Sequence, residues 1–279
     1  WNEWEEYVPS VNEFFVADDF VLSGEPKFKL RQISKRHCKR DLRFIARTRQ
    51  SGNPNKEIVT GWALETAQKY GGFFYGGGPH HVHTLPMYIN PETYFEEHPE
   101  YFSYVIDEKT GEGKRIWCDN TWDGGQLCLT NPDVIRIVAE NVLKDLREHP
   151  EKKYVEVSQC DNNNFCQCEQ CAAVDAEEES QAGTMIRFVN AVAEIVEKEF
   201  PDVLVRTFAY SYSRKPPKTV KARHNVIVRY CTIEACSRHA LNDPNCPTNA
   251  AVYGKEMEEW GKKASNAATA AWASVAAVK

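Results

Sequence analysis

A chain of 279 residues that is 42% hydrophobic and 27% charged has ordinary globular composition, which excludes a disordered or fibrous protein. Its net charge of -6, with no basic block, sets nucleic acid aside as a partner, because phosphate binding needs a positive stripe. No apolar run approaches the roughly 18–20 residues needed to cross a bilayer, so no membrane partner is expected and a neutral or weakly charged substrate fits better.

Residues 1–25 are aromatic and acidic (Trp1, Trp4, Tyr7, Phe14, Phe15, Phe20) and read as the end of a preceding domain or a lead-in. Alternation over 28–32 predicts a short strand, and Leu42, Ile45 and Ala46 within a basic stretch predict a helix over 36–48. The glycine-rich stretch 71–79 ends a second strand and opens into His80-His81-Val82-His83-Thr84, followed by an aromatic, acidic short helix over 91–104. Leu127-Cys128-Leu129-Thr130 reads as a third strand. Asn131-Pro132, a cap followed by proline at the first helical position, starts a helix striped by Val134, Ile137, Val138, Val142 and Leu146.

Tyr154 to Ser158 is the fourth strand and leads into a polar, cysteine-rich loop. In that loop the run Glu177-Glu178-Glu179 reads as a solvated helix start favoured by the helix dipole. Met185, Ile186, Val189, Val192, Ala193 and Val196 form the next amphipathic helix. Strands over 203–210 and 226–231 and a helix over 249–262 follow. Strands alternating with helices predict an α/β fold with a parallel sheet, here a TIM-type (β/α) barrel over 26–279. A full barrel needs about two more strand–helix units, so the low-complexity end 264–279 is expected to be truncated. The chain begins at Trp1 rather than Met, so a preceding segment is expected as well. The absence of an Asn-X-Ser/Thr sequon weakly favours the bacterial cytoplasm over a secreted setting.

In parallel barrels the chemistry sits at the C-terminal ends of the strands. Those ends carry His81 and His83, then Asp161 and Asn162, then Tyr210, Tyr212 and Arg214, then Arg229, Glu234 and His239. Asp161 and Glu234 are the carboxylates best placed to face each other, as glycoside hydrolysis requires; taken singly, each is as readily a helix cap or an arginine partner. Tyr75, Trp117, Trp122, Tyr210 and Tyr212 are candidate sugar platforms. Of the ten cysteines, Cys166, Cys168 and Cys171 have the spacing of a tetrahedral zinc site lacking one ligand. Cys160, Cys236, Cys246 or His239 is the expected fourth. Buried thiols or a disulfide are the alternative. With thiolate ligands throughout, such a site would be structural. No G-x-S-x-G elbow, phosphate loop or HExxH is present.

The segments His83-Thr84, 94–102, Cys128-Leu129-Thr130-Asn131-Pro132, Ser158-Gln159-Cys160-Asp161-Asn162, Cys166-Gln167-Cys168-Glu169-Gln170-Cys171, Phe188-Val189-Asn190, Ala209-Tyr210 and Lys215-Pro216-Pro217, in that order, resemble the bacterial domain of unknown function 4838 family. That family is grouped with the TIM-barrel glycoside hydrolases and is similar in outline to the family 20 hexosaminidases and the family 67 alpha-glucuronidases. The resemblance implies a barrel preceded by a small α/β domain, of which 1–25 would be the end, and a carbohydrate substrate. In family 20 an Asp-Glu pair follows the fourth strand, its Asp orienting the acetamido group and its Glu acting as the acid. The matching pair here is Asp161-Asn162, and asparagine cannot donate a proton as an acid does.

The resulting expectation is a glycoside hydrolase that removes a terminal hexosamine- or uronic-acid-type sugar. Asp161 and Glu234 would be catalytic, and His83, Asn162, Tyr210, Tyr212, Arg229 and His239 would contact substrate. Cys166, Cys168, Cys171 and Cys160 would hold a structural zinc, with no cofactor needed for catalysis. A homo-oligomer is left open. The alternatives are a non-catalytic carbohydrate-binding barrel and a metal-dependent hydrolase or lyase using the His81/His83 end.

Overall fold

Asn131 starts the longest of the described helices in the way its position before Pro132 predicts: its side chain accepts from the N–H groups of Asp133 and Val134 at 2.9 and 3.4 Å. A cap of this kind stabilises a helix by about 1 kcal/mol. The structure is a computed structural model that describes residues 82–150 and 152–264, together with Asp18, Asp19 and Val21. The chain divides into two compact units, Trp1–Tyr75 and Gly76–Lys279, and the described elements all belong to the second. The strand expected at 28–32, the strand end at 71–79, the helix at 36–48, His81 and the tail beyond Ala264 lie outside the described residues.

The elements run α1 (Leu85–Tyr88), α2 (Pro91–Tyr94), a 3-10 turn (Pro99–Tyr101), β1 (Tyr104–Ile106), β2 (Gly113–Arg115), α3 (Pro132–Glu148), β3 (Tyr154–Glu156), α4 (Glu169–Glu178), α5 (Ala182–Glu197), β4 (Leu204–Ala209), a 3-10 turn (Ser211–Ser213), β5 (Val226–Tyr230), a π turn (Asn249–Tyr253) and α6 (Gly254–Lys263). No described helix is long and apolar enough to cross a membrane.

β3, β4 and β5 are parallel neighbours in that order, with Val155 opposite Val205 and Val205 opposite Val226. The fold is mixed α/β with a parallel sheet. Among the described residues three strands are hydrogen-bonded in series and do not close a barrel. One face of this sheet (Val155, Val205, Ala209, Val226, Val228, Tyr230) joins the apolar stripes of α3 and α5 in one core. Burial of those stripes holds the layers together, at about 25 cal/mol per Å² of apolar surface. The other face carries Tyr154, Glu156, Arg206, Phe208 and Arg229, because paired positions on parallel strands point the same way. There Arg206 pairs with the fully buried Glu156 and stacks over the Tyr154 ring at 4.4 Å. Burial pushes the Glu156 carboxyl up, against the pull of Arg206 and Arg229.

Three expectations are corrected. Residues 127–130 are not a strand: Leu127 makes one isolated bridge with Phe102, and the Cys128 N–H bonds to the Tyr101 carbonyl at 2.8 Å before the chain turns into α3. The expected helix over 91–104 is broken into α2 and a 3-10 turn, because Pro99 opens the second piece. The cysteine-rich loop contains α4, and Glu177 and Glu178 end that helix rather than begin one. Glu178 is fully buried, and Glu179 takes the left-handed cap conformation at φ 53°. A hairpin of β1 and β2, unmarked in the sequence, precedes Trp117.

Candidate functional site

At the C-terminal end of β3, Ser158 and Thr84 lock the chain before α1 against the strand. Thr84 Oγ1 donates to the Glu156 carbonyl at 2.9 Å and accepts from the Ser158 N–H at 3.1 Å, while the Thr84 N–H donates to the Ser158 carbonyl at 3.0 Å. This lock delivers His83 with φ 53°, a left-handed conformation that costs a non-glycine residue on the order of 1 kcal/mol. His83 Nδ1 lies 2.8 Å from the Gln159 carbonyl. A carbonyl only accepts, so Nδ1 carries the proton and Nε2 is left to face Asp161 Oδ1 at 3.9 Å.

Gln159 is buried and ties two strand ends together. Its Nε2 donates to the Tyr210 carbonyl at 2.9 Å and its Oε1 accepts from Ser213. Tyr210 is thereby aimed at Asp161, donating its hydroxyl to Oδ1 at 2.9 Å. Burial, the Asp161 carboxylate and the charge of Glu234 push the Tyr210 hydroxyl up to about 12, so it remains a donor. The His83 ring packs edge-on against Phe208 and tilted against Tyr210, with centroids 5.6 and 6.1 Å apart. Arg229 lies over the Phe208 ring at 5.4 Å. The structure thus brings together His83, Asp161, Tyr210 and Arg229 of the expected set. Asp161 is 49% exposed and open to a ligand.

Glu234 lies on the loop after β5, 56% exposed, with Arg214 Nη1 at 3.7 Å and the Tyr253 hydroxyl at 3.3 Å. Its arginine partner is the simpler of the two roles the sequence allows. Two other expected substrate contacts point elsewhere. The Asn162 side chain faces inward: Oδ1 accepts from Gln126 Nε2 at 2.8 Å, and Nδ2 donates to the carbonyls of Asp119 and Thr121 at 2.9 and 3.3 Å. Its polar atoms are used in holding the 119–126 loop. The Tyr212 hydroxyl is buried without a partner among the described residues, and Tyr212 lines a small pocket with Gln126, Cys166 and Asp175.

The 119–126 loop was not marked by a motif, yet it completes the site. Asn120 Oδ1 accepts from the Asp161 N–H and its Nδ2 donates to the His83 carbonyl, both at 3.4 Å. Two residues on stands Trp122, 83% exposed, its carbonyl held by Asn164 at 3.3 Å. Strand-end polarity beside an exposed indole suits a ring-shaped polar ligand with an apolar face.

The second constellation is thiol chemistry. Cys128, Cys166, Cys168 and Cys171 place their sulfurs within 4.8 Å of one another, with Cys128 at 3.7 Å from Cys168 and 3.9 Å from Cys171. Four thiolates about 2.3 Å from a tetrahedral zinc would stand about 3.8 Å apart, whereas a disulfide needs about 2.05 Å. A buried four-cysteine cluster of this shape can hold a metal such as zinc. Its surroundings suit thiolates: the Tyr104 N–H and Arg115 Nη1 donate to Cys166 at 3.3 and 3.7 Å, and Thr130 Oγ1 lies 3.2 Å from Cys171. Hydrogen bonds from Cys166 and Cys171 hold the Cys128 thiol well below the ordinary thiol range. The sulfur that joins Cys166, Cys168 and Cys171 is Cys128 and not Cys160, which is buried with its sulfur 3.5 Å from Cys118. Cys128 was hidden in what read as a strand. Its Cys-Leu-Thr-Asn-Pro context marks a turn into a helix, and that was the available signal. His239 lies with Cys236, apart from both groups, with Nδ1 3.2 Å from the sulfur.

These elements define a β/α protein with a polar, partly open strand-end site and a separate thiol cluster. The chain belongs to the family described as Domain of unknown function (DUF4838), whose model matches residues 1–269. No curated protein matches it. Among solved structures it is distantly similar to a variant of the GH36 alpha-galactosidase AgaA from Geobacillus stearothermophilus in complex with stachyose, at 16% identity and TM-score 0.27 over 52% of this chain and 18% of that one. A complex of the same enzyme with 1-deoxygalactonojirimycin gives 14% identity and TM-score 0.28 over 56% and 20%. A Family GH13_31 enzyme gives 12% identity and TM-score 0.33 over 71% and 42%. The chain thus spans less than half the length of each of these proteins.

Proposed function

We propose that the protein is a carbohydrate-active hydrolase that cleaves a terminal sugar at the strand-end site, with Asp161 at the reacting centre. The observation that carries this reading is the half-exposed Asp161 carboxylate, hydrogen-bonded by Tyr210 and faced by His83, with the exposed Trp122 on the loop whose Asn120 bonds to both Asp161 and His83. A carboxylate held by a tyrosine donor is oriented, as a base, a nucleophile or an anchor for developing positive charge must be. His83, with Nδ1 committed to a carbonyl, offers Nε2 to a sugar hydroxyl. Trp122 supplies the flat apolar surface that the face of a sugar ring needs. Glu234 is the second carboxylate: its charge reaches Tyr210, and Arg214 and Tyr253 position it.

The inward-facing Asn162 supports a plan in which the acid comes from Glu234 or from outside the described residues, not from the position next to Asp161. It also gives weight to a second reading, a sugar-binding barrel without turnover. Chromogenic aryl glycosides of N-acetylhexosamines and uronic acids separate the two. Turnover abolished in both Asp161→Asn and Glu234→Gln, with the circular dichroism spectrum unchanged, is expected. Full activity in either variant removes that residue from the mechanism. Sugar binding without turnover by the unmodified chain overturns hydrolysis.

The four-cysteine cluster is assigned a structural zinc held by Cys128, Cys166, Cys168 and Cys171. Four protein ligands leave no position for substrate or water. Zinc there would pin the hairpin β1–β2, the entry to α3 and the start of α4 to one point, which stabilises the loop carrying Asp161.

A further inference from the structure

The loop between β5 and the π turn carries a second group of metal-binding side chains. Cys236 Sγ, His239 and Cys246 Sγ offer ligand atoms that all lie within 4.8 Å of one another, and Cys236 Sγ is 3.2 Å from His239 Nδ1. In a tetrahedral zinc site a sulfur and a nitrogen ligand stand about 3.5 Å apart, so the Cys236–His239 pair need open by only about 0.3 Å to take an ion.

The backbone holding these ligands is preorganised. Asn249, fully buried, accepts from the Cys236 N–H at 2.9 Å and donates Nδ2 to the carbonyls of Cys236, His239 and Ala240 at 3.0, 3.1 and 3.1 Å. Its own N–H points at Cys246 Sγ at 3.4 Å. Asn249 therefore fixes the segment bearing two ligands with its side chain and meets the third with its backbone N–H. The loop over 231–248 contains no helix or strand. Loops longer than about 12–15 residues without structure of their own are uncommon in compact domains unless they serve a function.

From this geometry we propose that Cys236, His239 and Cys246 form a second site for a thiophilic divalent cation such as zinc, with three protein ligands and a fourth position open to solvent. Among the described residues no further Cys, His, Asp or Glu joins the three. His239 is exposed while Cys246 is buried, so the ion would be reached from outside. Binding displaces the thiol protons and leaves two metal–sulfur bonds and one metal–nitrogen bond, with water on the fourth position. The ion cross-links the loop two residues beyond Glu234 and fixes the rim of the strand-end site. The assignment does not depend on what substrate that site takes.

The full chain, reduced and then freed of reductant, is loaded with Co²⁺ and its metal content is measured by mass spectrometry alongside the visible spectrum. Cys236→Ala and His239→Ala are each expected to lower the bound metal by one equivalent and to remove the matching share of sulfur-to-cobalt charge-transfer absorption. The difference is read whatever the four-cysteine cluster holds, and His239 is exposed, so its replacement leaves the fold intact. Unchanged metal content in both variants overturns the proposal. So does a Cys236–Cys246 disulfide in the protein as purified, read as the loss of a pair of free thiols.

Discussion

The Tyr210 hydroxyl donates to Asp161 Oδ1 at 2.9 Å and so joins the ends of two neighbouring parallel strands through a half-exposed carboxylate. Hydrogen bonds to a charged acceptor contribute roughly 1.5–3 kcal/mol. Tyr210→Phe is therefore expected to lower kcat/KM by roughly 10–100-fold, while the melting temperature moves little because the ring remains. Steady-state kinetics on whichever aryl glycoside is cleaved checks this. A change within twofold would mean that Asp161 needs no tyrosine donor.

Trp122 gives a complementary test, because it is so exposed that it adds little to folding. Its replacement by alanine is expected to change stability by no more than about 0.5 kcal/mol and to weaken sugar binding by roughly 10-fold, as the loss of a flat apolar platform should. Titration calorimetry with the sugar product measures the second effect and urea unfolding the first. Unaltered sugar affinity would assign Trp122 to some other contact.

Helices α3 and α5 and the three parallel strands were legible because their signals are local: a cap at Asn131, a stripe of apolar residues on α3 and α5, and short apolar runs at the strands. That Asp161, His83 and Tyr210 lie together was legible because all three follow the C-terminal ends of strands in the sequence pattern. What was hidden depends on contacts far apart in sequence. Cys128 meets Cys168 across 40 positions, and Gln126 reaches Asn162 across 36, so neither spacing nor period could reveal them. Asn162 was misjudged for the same reason, since only the folded 119–126 loop shows that its amide is occupied.

The exchange of Cys160 for Cys128 as the fourth ligand is directly testable. Cys128→Ser is expected to cut zinc content and to destabilise the fold by several kcal/mol, because a structural site contributes its binding energy to folding. Cys160→Ser is expected to leave zinc content unchanged, its neighbour being Cys118. Metal analysis of both proteins settles which sulfur belongs to the cluster, and a strong chelator should lower the melting temperature of the Cys160 variant as much as that of the unmodified chain.

Glu178 supplies the last test, on stability and its pH dependence. Its buried carboxylate accepts from Arg187 Nη2 and Thr219 Oγ1 at 2.7 Å each, and from the N–H groups of Thr219 and Val220 at 2.7 and 3.0 Å. Gly183 allows this approach, since a Cβ there would meet Glu178 Cβ at 2.3 Å. Burial alone would raise the carboxyl; the Thr219 N–H, Arg187 and the other donors outweigh it and hold Glu178 at about 2, against 4.5 for the free group. A carboxyl depressed by folding stabilises the native state fully above its unfolded value, and that stabilisation fades as pH falls toward the folded value. Glu178→Gln, which keeps the shape and removes the charge, is expected to cost about 2–3 kcal/mol at pH 7. The gap between the two proteins should narrow as the pH drops from about 4.5 to about 2. Urea unfolding across that range measures it, and a gap that stays constant would show that the donors around Glu178 are satisfied equally well by an uncharged amide.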